Sequence, residues 1–300
     1  MKKSYVYAGI SIFIWSTIAT VAKLLLGQLS NFQVLFVSCF FAFMFLLIVN
    51  IITGDIKKLK EYRFKDFLIT TLVGLPGTFL YQLFYYSGTA RMPASQAFIV
   101  NYLWPIMGVV FAIIILREKL SLRKVIAILM SFLGVVVVTS RDLAHFDKSI
   151  IIGVIFCILG AVSYGAFTAL TQLTSYDKKI SSMIYYFNTF LLTGLWIFIT
   201  KDTFTLGALS LVGLAYNGIF CLAVGTTCWA LALENGKTAN IANLAYITPF
   251  LSLIWISVFL KEQIRYEMLI GLLLIILGIF IQLKRGNRAV LRTEGKGNRE

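Results

Sequence analysis

Along this chain, long apolar runs alternate with short polar ones. Ten runs can be drawn, at roughly 5–26, 32–53, 67–89, 94–116, 122–140, 150–172, 181–200, 208–233, 239–260 and 267–283. A helix crosses the hydrocarbon core of a bilayer in about 20 residues, so most runs have spanning length, and the fifth and tenth are short. The first run follows Lys2 and Lys3 as in a signal peptide. It is too long for one, and no small-residue cleavage pattern follows it, so it is read as the first helix. The pattern predicts an all-α integral membrane protein with ten transmembrane helices.

The pattern also repeats. Residues 101–134 read NYLWPIMGVVFAIIILREKLSLRKVIAILMSFLG, and residues 245–278 read AYITPFLSLIWISVFLKEQIRYEMLIGLLLIILG. A gapless shift of 144 places Tyr102 on Tyr246, Pro105 on Pro249, Leu116 on Leu260, Glu118 on Glu262, and Gly134 on Gly278. The same shift puts Gly9 on Gly153 and Gln28 on Gln172, so the duplication extends over the whole chain. The predicted organisation is one five-helix repeat at 1–144, a second at 145–283, and a basic polar tail at 284–300 that is expected to be disordered. Five is odd, so the second repeat enters the bilayer from the side opposite to the first. Inverted repeats of this kind place a binding site near the midplane at their interface.

Composition excludes the soluble classes. Hydrophobic residues make up 59% of the chain and charged ones 13%, against about 25% charged in soluble domains. The net charge of +14 does not point to nucleic acid, because the basic residues sit in short loops. With the N-terminus cytosolic, 20 Lys and Arg lie inside and 6 outside, with Lys23 within the first span. By the positive-inside rule both termini are therefore placed in the cytosol of a cell-membrane protein. Cys39, Cys157, Cys221 and Cys228 lie inside apolar runs without metal-ligand spacing and read as small buried hydrophobes. No metal and no cofactor is expected.

The thirteen acids fall in loops, tails or span ends, Glu234 being the deepest, and the single histidine, His145, is in a loop. Intramembrane acids and histidines are the usual proton-relay and cation-binding groups, so neither role is expected. Lys23 is read as snorkelling. The interior chemistry is neutral, polar and aromatic. Span three carries Thr78, Gln82, Tyr85 and Thr89 on one face, with Tyr81 beside Gln82. Span four offers Asn101, Tyr102 and Trp104 before Pro105, and span nine offers Asn240, Asn243, Tyr246 and Thr248 before Pro249. Trp15 shares a face of span one with Ser11, and Tyr164 a face of span six with Thr168. Asn188 lies in span seven, and Thr226, Thr227 and Trp229 in span eight. An amide facing lipid is costly, so Gln82, Asn101, Asn188 and Asn243 should face protein or a wet cavity. For any one amide the plainer role is a hydrogen bond between helices; the collection on spans three, four and nine points to a shared binding cavity. Pro105 and Pro249 each remove a helical donor and are read as paired bends, or hinges, flanking it. Pro76 has Phe220 at its equivalent position and is read as a local kink. Ala127, Gly134, Gly271 and Gly278 read as close-packing positions.

Enzyme readings fail on their motifs. Gly236-Lys237-Thr238 ends like a phosphate-binding loop, but Leu231 stands where the first glycine belongs. An intramembrane hydrolase would need a Ser–His pair or two embedded acids, and the chain has neither.

The ten-helix layout, the five-plus-five repeat and the paired endings LREKL (116–120) and LKEQI (260–264) resemble the EamA-type proteins of the drug/metabolite transporter superfamily. NYLWP at 101–105, with AYITPFLS at 245–252, resembles the branch of aromatic amino-acid and metabolite exporters. The resemblance implies a basket around a central cavity built from spans one, three, four, six, eight and nine, with spans five and ten as outer supports. The expected function is secondary transport by alternating access, exporting neutral or aromatic amino acids or similar small metabolites across the cell membrane. A neutral site of Tyr, Trp and Asn suits a neutral or zwitterionic solute with an apolar part. The expected partners are that solute and the lipid bilayer, with the chain read as a monomer. A permease for a sugar-containing metabolite or vitamin is the second reading. A membrane receptor or scaffold is the third, and it predicts a closed, fully packed centre.

Overall fold

The computed structural model describes residues 2–144, 147–235 and 244–283. These residues form an all-helical membrane protein. Eight helices are long and apolar enough to cross a bilayer: Lys3–Leu26, Asn31–Ile52, Phe64–Arg91, Ala94–Ile115, Leu122–Arg141, Lys148–Leu173, Lys178–Thr200 and Ala208–Ala232. Two shorter apolar helices follow, Ala245–Leu260 and Tyr266–Ile281. These ten are numbered here as spans one to ten. The fifth helix runs on to Ala144, 23 residues in all, so it is longer than the apolar pattern suggested.

Local chemistry sets the ends. Ser30 and Gln33 form a reciprocal capping box at the start of span two. The Asp147 carboxylate accepts from the N–H groups of Ser149 and Ile150, and Asp177 does the same for Lys179 and Ile180. Arg117 and Lys261, repeat-equivalent residues closing spans four and nine, both adopt the left-handed conformation (φ 56° and 55°). The duplication thus reaches the backbone.

It reaches the helix interiors too. Span three contains a π-helical turn at Leu75–Leu80 and span eight one at Asn217–Val224. The shift of 144 places the first on 219–224, within the second. Pro76 is therefore part of a paired irregularity, although its partner has no proline. The π turns in span eight present carbonyls to other helices: Cys221 accepts from Trp15 Nε1 (3.3 Å) and Leu222 from the Tyr186 hydroxyl (3.0 Å). π turns recur where helices do functional work.

Helices pack mainly across the two halves: spans one with eight and nine, two with seven and eight, three with six and seven, four with six, and five with ten. Small residues permit this. A Cβ on Gly74 would enter the Tyr185 ring, and one on its equivalent Gly218 would strike the Ser38 carbonyl and Phe41, the residue equivalent to Tyr185. Between spans five and ten, a Cβ on Gly134 would lie 2.6 Å from the Gly271 carbonyl oxygen, and one on Gly278 2.8 Å from that of Ala127. The close-packing role expected of these four residues is what they perform.

Side-chain bonds define two faces. Lys58 pairs with Asp177 on the near face (2.6 Å). On the far face, Ser149 Oγ donates to the Arg91 carbonyl (3.2 Å) and Ser210 Oγ to Gln28 (2.6 Å).

Candidate functional site: an aromatic cluster between the halves

Spans three, four, six and seven bring six aromatic rings into one chain of contacts. Tyr81 stacks on Tyr85 (6.0 Å between centroids) and meets Tyr164 (4.7 Å). Trp104 stands edge-on to Tyr164 (5.1 Å), and Phe167 links Tyr164 to Tyr185 (5.6 and 5.7 Å). Tyr85 is 1% exposed, whereas Tyr81, Trp104 and Tyr164 are half-buried. Offset and edge-on pairs are the favoured geometries of such rings. Asn101 Nδ2 donates to the Tyr81 hydroxyl (3.0 Å), while its Oδ1 is buried without a partner, on the side facing Gly160. An unpaired buried acceptor is costly, and Asn50 Oδ1 and Asn217 Oδ1 share that condition.

The helix breaks beside this cluster. Span four ends its first segment at Asn101 and restarts at Trp104, with Pro105 in the first turn. In span nine a 3-10 turn at Ala245–Ile247 precedes a helix starting at Thr248, with Pro249 likewise in the first turn. Proline at that position gives up a donor that has no helical partner in any case. The two prolines thus start new helical segments after a break, where a kink in a continuous helix had been expected. The Tyr102 hydroxyl donates to the Ala245 carbonyl (3.0 Å), joining the two breaks.

The other sequence candidates lie elsewhere. Gln82 is buried in span three. Trp15 packs on Trp229 (5.4 Å) between spans one and eight. Asn188 donates to Thr71 Oγ1 (2.8 Å), a bond between spans seven and three. Thr227 lines a small cleft of about 50 Å³ with Lys178, Lys179 and Ser182. Tyr246 meets Phe280 of span ten (4.7 Å). Asn240, Asn243, His145 and the tail at 284–300 are outside the described residues, as is the side chain of Glu234. The four cysteines are free. No group of three His, Cys, Asp or Glu side chains is placed to hold a metal among the described residues.

Sequence reasoning missed a second polar knot. Asn217, fully buried in the π turn of span eight, donates to Ser38 Oγ (3.0 Å) and to the Tyr86 hydroxyl (2.8 Å). The rule applied to the other amides, that an amide within an apolar run must face protein, would have found it. Lys23 also gains partners that the sequence did not show. Its Nζ donates to the carbonyls of Thr89 (2.7 Å) and Met92 (2.8 Å), closing the end of span three while the residue stays half-buried. Next to it, Glu262 accepts from the N–H groups of Ala94 (2.7 Å) and Ser95 (3.0 Å) and from Ser95 Oγ (2.8 Å) at the start of span four.

On the near face, Asp55 pairs with Lys58 (2.6 Å) and Lys179 (2.9 Å). The hydrogen bond from Lys58, then that from Lys179, holds the Asp55 carboxyl well below the usual carboxylate range. Asp177, then Asp55, raises Lys58 above the ordinary lysine range.

A family model for the EamA-like transporter family matches residues 2–140 and again 151–283, once per half. The chain belongs to the EamA-like transporter family. It is a multi-pass membrane transporter built from two duplicated halves, and not an enzyme. Similar proteins include an uncharacterized transporter of Clostridium kluyveri, 24% identical over 306 residues and covering 96% of each chain. Another, from Archaeoglobus fulgidus, is 26% identical over 230 residues, covering 75% of this chain and 81% of the relative. A protein of known crystal structure superposes with a TM-score of 0.68 at 20% identity, covering 96% of this chain and 99% of the other, a likeness of fold.

Proposed function

We propose that this EamA transporter works by alternating access and exports neutral or aromatic amino acids, or similar small metabolites, across the cell membrane. The observation that carries the reading is the ring cluster of Tyr81, Tyr85, Trp104 and Tyr164, contributed by both halves and hydrogen-bonded to Asn101. Aromatic faces suit an apolar or aromatic body. Asn101, whose amide donates to the Tyr81 hydroxyl, adds a neutral polar group at the edge of the cluster. No charged side chain belongs to the cluster, which suits a solute of zero net charge.

The two repeats, 1–144 and 145–283, act in this reading as inverted bodies. Span six starts on the far face, where Ser149 bonds Arg91, and span one ends on that face, where Lys23 bonds Thr89 and Met92. The far face is outside the cell and both termini are cytosolic, as the distribution of Lys and Arg favours. Pro105 and Pro249 sit at the breaks about which the halves bend. Counterflow of labelled solutes in proteoliposomes tests the reading. Phenylalanine, tyrosine, tryptophan and leucine should exchange. Exchange of sugar-bearing solutes alone would replace the substrate class, and no exchange of any solute would remove the reading.

A further inference from the structure

Spans one, eight and nine leave between them a groove of about 580 Å³ that no side chain fills. It runs from Phe13 to Gln28, along span one and into the turn after it, fifteen steps or about 22 Å at the helical rise. Its floor includes Leu25, and its walls include Val21, Gly213 and Trp255.

Most polar atoms of the lining are engaged with one another or with a neighbour. The hydroxyls of Thr17 and Tyr216 bond each other (3.0 Å), Ser210 Oγ donates to Gln28 Oε1 (2.6 Å), and the Trp255 indole N–H donates to Ser16 Oγ (2.8 Å). The Thr20 hydroxyl has no partner, but the oxygen is buried out of contact with solvent. A polar solute would find almost nothing to bond there, and a hydrocarbon loses nothing.

Both rims are continuous with the membrane-facing surface of the protein: Phe13 and Leu24 on one side, Val212 and Phe259 on the other, are all more than half exposed. An unfilled groove in that surface would forfeit dispersion contacts on every lining atom. We propose that it is a binding site for one acyl chain of a bilayer phospholipid, lodged between span one of the first half and spans eight and nine of the second. The chain lies along the seam between the halves, with its headgroup at the Gln28–Ser210 mouth.

Trp255 provides the readout. The protein is reconstituted in phosphatidylcholine carrying bromine on its acyl chains, with the contribution of Trp255 isolated by difference from a Trp255→Phe variant. Trp255 emission should be quenched strongly in the wild type and at least two-fold less in Gly213→Leu, whose side chain would fill the groove. Val21→Phe, filling from the opposite wall, should do the same, so a folding failure of one variant leaves the other. Native mass spectrometry should find one tightly held lipid fewer in each filled variant. Equal quenching and equal lipid retention in wild type and filled variants would overturn the site. So would stronger quenching by a brominated amino acid in water than by the lipid, which would assign the groove to solute.

Discussion

Glu262 takes both hydrogen-bond donors of Ser95, its N–H at 3.0 Å and its Oγ–H at 2.8 Å. A residue from the end of the second half thereby holds the start of span four in the first. The repeat-equivalent acid, Glu118, is instead 51% exposed and paired with Lys124 (2.8 Å). The duplicated sequence thus carries two like-placed acids in unlike states, one latched across the halves and one at the surface. Under the alternating-access reading proposed above, two conformations related by exchange of the halves would reverse these roles.

Removing the latch should loosen the far face. Hydrogen bonds to a charged group contribute about 1.5–3 kcal/mol each. Glu262→Ala should therefore speed amide hydrogen exchange at Ala94 and Ser95 by about ten-fold or more, with little change in spans five and ten. Glu262→Gln, which keeps an acceptor, should fall between. Unchanged exchange in Glu262→Ala would show that Lys23 alone holds the loop.

The near-face pairs give a pH dependence of defined sign. The Asp55 carboxyl is depressed in the folded state, so its stabilisation is fully present above the ordinary carboxylate pKa, about 3.9. It is lost as pH falls through the depressed value. Proteolytic cleavage within 53–63 should be faster in Asp55→Asn than in the wild type by the same factor from pH 8 to pH 5. The two rates should converge only below about pH 4. Because Lys58 and Lys179 are more than 40% exposed, added salt should shrink the difference. A gap that grew on acidification would contradict the pairing.

Orientation can be read independently of transport. Lys57→Cys and Lys148→Cys, in a background lacking the native cysteines, should react with a membrane-impermeant maleimide from opposite sides, Lys148→Cys from outside. Labelling of Lys57→Cys in intact cells would invert the topology.

Spans five and ten meet at glycines, and overpacking a tight contact costs about 1–3 kcal/mol. A valine at Gly271 would press on the Gly134 carbonyl and on Val138, so Gly271→Val should lower the unfolding temperature. Exposed Leu273→Val on the same helix should leave it nearly unchanged.

The parts legible in the sequence are those that repeat or follow a period. The spans, the halves and the paired prolines came from apolar length and from matched residues. The π turns did not, because Pro76 and Phe220 share no chemistry; what the two turns share is a glycine, Gly74 or Gly218, packed closely against the other half. Nor did the partners of Lys23, since a lysine near a span end looks the same whether it meets water or a carbonyl. In the site, polarity picked out Asn101, Trp104, Tyr85 and Tyr164. It could not show that Tyr81 is the ring joining them, or that Asn188 and Tyr246 turn to other neighbours. Those depend on helix rotation, which a single sequence does not encode in its pattern of polar residues.

The account rests on the ring cluster as the place where solute binds, and substitution of Trp104 tests that most directly. For the aromatic amino acid exchanged fastest in counterflow, Trp104→Ala should weaken binding by about five-fold or more, the equivalent of about 1 kcal/mol from one lost aromatic contact. Trp196→Ala, which removes a half-exposed ring stacked on Phe32, should leave affinity unchanged. If Trp104→Ala binds and transports like the wild type while unfolding at a lower temperature, Trp104 serves packing alone and the cluster is not the binding site.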